Sequence, residues 1–197
     1  LPMILFTTIA QMCVGAFVVL GVIQTFGSLR FKSKTIERLA DPALFAIGPA
    51  MVAGLGLSML HMHDVSNTLN VLRHWNSSWL SREIIFGTGF AGLGFLFFLM
   101  QWKKIGSARL RQVVASVTAV VGVAFIFVMS RIYSSLVTVP AWNSWAIPLQ
   151  FFATAVLLGS LLVGTAFVVV DSWRKSRAPA AAAATTVDAE PAAGGGV

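Results

Sequence analysis

Five apolar runs, each about the length of a membrane-crossing helix, constrain this chain more than any other feature. They cover roughly residues 3–26, 43–62, 84–101, 113–134 and 149–170. About 20 mostly apolar residues in helical form cross the hydrocarbon of a bilayer, and within lipid a helix satisfies its own backbone hydrogen bonds. No stretch alternates with period two in segments of about 10 residues, which argues against a β-barrel. The expected fold is therefore all-α, a polytopic transmembrane helix bundle of about five spans. Composition agrees: only 11% of the 197 residues are charged, against about 25% in a soluble domain. The first run has no basic residues ahead of it and reads as a mature span rather than a secretory signal.

The net charge of +7 does not point to nucleic acid, because its distribution follows the loops. Arg30, Lys32, Lys34 and Arg38 lie in the first loop, Lys103, Lys104, Arg109 and Arg111 in the third, and Arg174, Lys175 and Arg177 in the tail. Those are eleven of the fourteen basic residues; Arg73, Arg82 and Arg131 are the rest. An excess of Lys and Arg in alternate loops marks the cytoplasmic side. The expected topology has the amino terminus and loops two and four outside, in the multi-pass cell membrane of a prokaryote.

Loops one (27–42) and three (102–112) read as short connectors between antiparallel neighbours. Loop two (63–82) is longer and rich in Asn, Ser, Trp and His. Val65, Leu69, Leu72 and Trp75 recur in it at helical steps, the pattern of an amphipathic helix lying on the outer surface. Trp75, Trp79, Trp142 and Trp145 fall on that same side; they suit an aromatic belt at headgroup level or a surface for a partner, with Arg73, Trp75, Trp79 and Arg82 as the docking residues. After Trp173 the composition shifts to Ala, Gly, Pro and Thr, and disorder is expected over 178–197. The chain thus divides into a membrane domain, 1–173, and a disordered cytoplasmic tail or linker, 174–197.

Polar groups near the spans gather on one side. The topology puts His61, Glu83, Arg131 and Tyr133 near the outer face, with Gln11 about 12–15 Å deeper at 1.5 Å per residue. Ionisable residues at membrane depth are functional candidates by default. This grouping suits oxidation of a quinol, which releases two electrons and two protons. Such a pocket needs hydrogen-bond partners for both ring oxygens and an acceptor that titrates near neutral pH, the natural role of a histidine. A carboxylate can then pass the proton to outer water. Plain readings stand beside these. His61 suits an interfacial residue, Glu83 a first-turn residue favoured by the helix dipole and paired with Arg82 or Arg131, Tyr133 a belt residue. His63 and His74 read as loop histidines, and Gly87, Gly89, Gly92 and Gly94 as close helix packing. Only His61 lies near a span, which disfavours a haem held by two axial histidines. The single cysteine, Cys13, offers neither a disulfide nor a thiolate cluster, so no metal is expected in this chain.

Several segments resemble one family. Ser58-Met59-Leu60-His61 resembles the Ser-x-x-His end of the second helix in the anchor subunits of dimethyl sulfoxide reductase. Ser78-Trp79-Leu80-Ser81-Arg82-Glu83 resembles that family's Ser-Trp-Leu-Ser-Arg-Glu segment. Arg131-Ile132-Tyr133 followed by Thr138-Val139-Pro140 and Trp142 resembles its Arg-Val-Tyr … Thr-Val-Pro-x-Trp segment. The opening 2–7 and Gln11 are also similar. The resemblance covers roughly residues 2–173 and implies a membrane anchor of a molybdopterin oxidoreductase, without haem or metal of its own. It implies menaquinol oxidation near the outer face, with electrons passing to a ferredoxin-like four-cluster iron–sulfur subunit and then to a molybdopterin catalytic subunit. His61 and Glu83 match the family's quinol-site histidine and carboxylate and are the expected catalytic pair; Gln11, Arg131, Tyr133 and Trp142 complete the expected quinol site. Two departures are visible. Met62-His63-Asp64-Val65 follows the histidine where the family usually has Leu-Gly. The family also has eight spans against five here, so the chain reads as the amino-terminal part of a longer protein.

Two other functions compete. A small transporter would show inverted repeats or polar groups running from face to face; no clear repeat is visible, and Gly48-Pro49 in the second span is tolerated in membrane helices. A purely structural anchor would need no polar pocket.

Overall fold

A computed structural model describes residues 2–27, 47–54, 56 and 73–187. Helix α1 spans Pro2–Gly27, α2 is described over residues 47–54, α3 spans Trp79–Trp102, α4 Ala108–Ser134 and α5 Ala146–Val187. No strand occurs among the described residues. Four of these helices, α1, α3, α4 and α5, are long and apolar enough to cross a membrane. The protein is a polytopic helical membrane bundle. The second apolar run is described only in part.

Local chemistry sets the helix ends. Ser78 caps α3, its Oγ accepting from the Ser81 amide at 3.3 Å, and Ser107 caps α4 by accepting from Leu110 at 3.2 Å; each satisfies an amide that a helix start leaves open. The reversal between them is tight. Lys104 takes φ 54° and Gly106 φ 79°, a left-handed geometry that glycine accepts freely and lysine at some cost. The hydroxyls of Thr118, Ser130 and Thr154 each donate to a carbonyl of their own helix at 2.7 Å, so these polar groups carry no unmet demand inside an apolar bundle.

Packing joins α3 to α4 and α1 to α5 most extensively, with α4 touching both α1 and α5. Phe90 and Phe125 stack at 6.5 Å between ring centroids, and Phe17 meets Phe90 and Phe97 edge-on at 6.0 and 5.7 Å. Small residues admit these rings. A Cβ on Gly87 would stand 3.0 Å from Phe125, and one on Gly122 the same distance from Phe90 and Val14. Helices α1 and α5 touch backbone to backbone: a Cβ on Gly15 would fall on the Ala155 carbonyl, and one on Gly159 on Gly15 and Ala16. Helices in lipid associate through such close approach. The glycine pattern expected to pack in α3 does so at Gly87, whereas Gly92 and Gly94 face open space. Large apolar side chains such as Val156, Leu157, Leu161 and Val168 stay exposed along α5, the outward face a lipid solvent allows.

Helix α5 corrects one expectation. It continues past Trp173 to Val187, so residues 178–187 are helical where disorder was expected. The segment 180–184 is all Ala, the strongest helix former, and an existing helix propagates readily into such a run.

Candidate functional site

One end of the bundle gathers the start of α3, the finish of α4 and the loop 135–145, and it carries Trp75, Trp79, Trp142 and Trp145. The capped start of α3 directs Trp79 and Glu83, four residues apart, along one face. Glu83 is only 5% exposed. Among the described residues no hydrogen bond or ion pair reaches its carboxylate, and the only ion pair is Lys175–Asp171 at the opposite end. The expected pairing of Glu83 with Arg82 or Arg131 therefore does not form.

Both arginines turn to Trp79 instead. The Arg82 guanidinium carbon lies 4.3 Å from the Trp79 ring centroid and that of Arg131 lies 5.3 Å from it. A guanidinium over an indole face is drawn to the ring's negative quadrupole. Further bonds hold each in place. Arg82 donates from Nε to the Trp75 carbonyl at 2.9 Å and from Nη2 to the Asn76 carbonyl at 2.6 Å. Arg131 donates from Nη1 to Ser134 Oγ at 3.2 Å, and Asn143 Nδ2 in the next loop donates to the Ser134 carbonyl at 3.0 Å. Tyr133 meets Trp142 edge-on at 5.7 Å and Phe151 of α5 at 5.6 Å. Trp79, Glu83, Arg131, Tyr133 and Trp142 thus share one end of the bundle.

Gln11 lies apart from that group. It is 6% exposed, and its Oε1 is fully shut off from solvent with no hydrogen-bond partner among the described residues. Its neighbours in α1 set its depth: Phe6 packs on Phe125 at 6.3 Å, and Val14 faces Gly122. Counted along the helices at 1.5 Å per residue, Gln11 is about 10 Å deeper than Glu83. The described part of α2 runs alongside, with the Cys13 thiol against the Ile47 carbonyl at 3.7 Å and Gly54 against Ile9 and Phe6.

Some expectations fall elsewhere. His61, His63 and most of the amphipathic segment of loop two lie outside the described residues. Arg73 and Trp75 are exposed at the bundle's end, while Trp79 and Arg82, grouped with them for docking, are half-buried in the arginine–indole cluster. No group of three or more His, Cys, Asp or Glu that can hold a metal occurs among the described residues. Sequence reasoning missed the Ser134–Asn143 tie, which joins residues nine apart across a loop. It also missed the Gly15–Gly159 contact, although Ala155 and Gly159 show the small-xxx-small spacing that marks such contacts.

Comparison with known proteins agrees with this architecture. The family model described as DMSO reductase anchor subunit (DmsC) matches residues 1–184. The C subunit of the anaerobic dimethyl sulfoxide reductase of Escherichia coli K12 is 34% identical over 183 residues, 91% of this chain and 62% of that protein. The corresponding C subunit of Haemophilus influenzae is 29% identical over 89% of this chain and 61% of its own length. The YnfH subunit of an anaerobic dimethyl sulfoxide reductase of Escherichia coli K12 is 28% identical over 82% of this chain and 55% of its own length. The chain thus spans about three fifths of the length of these relatives. No solved structure matches. By its motifs, its bundle and the match over residues 1–184, the chain belongs to the DMSO reductase anchor subunit family.

Proposed function

We propose that this chain oxidises menaquinol as the membrane anchor of a molybdopterin oxidoreductase and hands the electrons to an iron–sulfur subunit. The observation that carries the reading is Glu83, a buried carboxylate with no cation bonded to it among the described residues. The guanidiniums of Arg82 and Arg131, at the same end of the bundle, are tied to other groups. A structural carboxylate in an apolar bundle is ordinarily paired; one left unpaired is available to take and release a proton.

The oxidation removes two electrons and two protons from the quinol. Glu83 takes one proton and passes it to water at the Trp-rich end. His61, which the family resemblance suggests as the second member of the catalytic pair, takes the other. Gln11 Oε1, without a partner among the described residues, accepts a hydrogen bond from the inner ring hydroxyl. The offset of about 10 Å between Gln11 and Glu83 suits one aromatic ring with a hydrogen bond of about 2.8 Å at either end. Arg131, Tyr133 and Trp142 wall the outer side, and the isoprenoid tail leaves between helices into lipid. The electrons leave for a four-cluster iron–sulfur partner and then a molybdopterin catalytic subunit, both docked on the outer face through Arg73, Trp75, Trp79 and Arg82. The fall of eleven of fourteen basic residues on the other side supports an outward amino terminus and an outward site in a prokaryotic cell membrane.

The test is copurification from the native host with and without His61→Arg. The expected result is iron together with molybdenum or tungsten in both preparations, and menaquinol-dependent turnover in the unaltered complex alone. Normal turnover in His61→Arg removes the histidine from the site. A metal-free single chain that carries solutes in liposomes favours a transporter instead.

A further inference from the structure

The two ends of the described bundle are furnished differently. The turn between α3 and α4 is short and exposes Lys103 and Lys104. At the other end, the loop 135–145 carries no charged residue and turns apolar side chains outward. Val137 is 79% exposed and Trp145 72%, with Leu136, Pro140, Ala141 and Trp142 exposed beside them. The loop is nonetheless firmly built. The Leu136 amide donates to the Tyr133 carbonyl and the Val139 amide to the Leu136 carbonyl, each at 3.1 Å, and the Trp142 amide donates to the Val139 carbonyl at 2.9 Å. Asn143 ties the loop to Ser134, and the Trp142 ring rests on Tyr133. A contiguous exposed apolar surface marks a binding face, and one already held in shape binds at a lower cost in ordering.

We propose that the loop 135–145, with Arg73 and Trp75 beside it, is the face on which a water-soluble protein subunit docks, and that the subunit's matching surface is apolar with carboxylates at its edge. The inference rests on the anchor reading and deepens it, by moving the centre of docking from the segment 73–82 to the loop after α4. A continuous run of contacts joins the two. Arg82 bonds the Trp75 carbonyl and lies over Trp79, Arg131 lies over the same ring and bonds Ser134, and Asn143 bonds Ser134 in turn. Exposed Trp around an uncharged centre, with Arg close by, is the composition of protein interfaces, whose binding energy concentrates in such side chains. The partner's charge follows from complementarity. Among the described charged side chains of this face, Arg73 is exposed and Arg82 and Arg131 are half-buried, whereas the one acid, Glu83, is buried. Lipid headgroups suit the tryptophans, but Leu136, Val137, Pro140 and Ala141 offer a headgroup neither charge nor side-chain donor.

The experiment places a photo-cross-linking side chain at position 137 of the native complex in its own membranes and identifies by mass what it captures. The expected adduct is a second protein subunit of the iron-containing complex. An adduct with lipid alone, or only within the chain itself, overturns the proposal. Charge is tested at the same position. Val137→Glu is expected to lower copurifying iron at least about tenfold with the chain still inserted, and Val137→Lys to lower it markedly less. Ile105→Glu, exposed at the other end, is expected to leave it unchanged. If Val137→Glu does not insert, Trp145→Glu and Trp145→Lys carry the same comparison. Equal losses with glutamate and lysine overturn the acidic partner, and an equal loss in Ile105→Glu overturns the choice of end. Iron absent from the unaltered preparation sinks the anchor reading itself, whereas iron retained in the glutamate variants sinks only this docking face.

Discussion

At the scale of single residues, the bundle separates polar groups that are spent from those that are free. Thr118, Ser130 and Thr154 are bonded into their own helices, and Arg82 and Arg131 are held by carbonyls, a hydroxyl and an indole. Glu83 and Gln11 Oε1 have no such bonds among the described residues. A buried polar atom without a partner costs about 1–3 kcal/mol, and replacing it by an apolar group of similar shape is close to neutral or stabilising. Gln11→Leu is therefore expected to leave thermal stability equal or higher while raising the KM for quinol several-fold. Thermal melting and quinol kinetics check this together; a large loss of stability with unchanged KM makes Gln11 a packing residue. Asn143→Ala removes the bond to the Ser134 carbonyl and is expected to cost about 1 kcal/mol. Because that bond also steadies Arg131's partner, turnover should slow before the complex falls apart, which activity measured along a mild denaturant series shows.

At the scale of elements, small residues decide which helices meet. Gly15 and Gly159 allow two backbones to touch, so Gly159→Leu is expected to separate α1 from α5 and cost about 3 kcal/mol or more, beyond ordinary overpacking. Gly92→Ala faces open space and should be neutral or stabilise by about 0.5 kcal/mol through helix propensity. Thermal stability of the two variants side by side checks the contrast, and equal losses contradict the assigned contacts. The spans themselves were legible, because a run of twenty apolar residues admits few structures in lipid. The partners of each span were not, since every glycine in α3 looks alike in sequence and only the register against α4 separates Gly87 from Gly92. The reach of α5 to Val187 was missed for a related reason. A composition of Ala, Gly, Pro and Thr suggested disorder, but helix propensity adjoining a formed helix carried the chain further.

At the scale of the whole molecule, the alternation of helices brings the start of α3 and the finish of α4 to one end, where Trp79, Glu83, Arg131, Tyr133 and Trp142 gather. Sequence motifs named Glu83, Arg131, Tyr133 and Trp142 as one group, and they do share that end. The arginine–indole geometry was not readable, because a cation beside a carboxylate in sequence ordinarily signals an ion pair. The proposed orientation predicts that a cysteine placed at the exposed Ser144 reacts with an impermeant maleimide from outside intact cells. One placed at Ser107 should react only after permeabilisation, with the buried Cys13 silent in both; the reverse pattern moves the site to the cytoplasmic face. The most direct measurement is the rate of menaquinol oxidation by the native complex carrying Glu83→Gln, followed across pH with iron and molybdenum or tungsten content confirming assembly. A positioned general base contributes about 10²–10⁴-fold, so the account predicts a loss of at least roughly tenfold in an assembled complex. Unaltered rates at every pH would contradict it and remove Glu83 from the site.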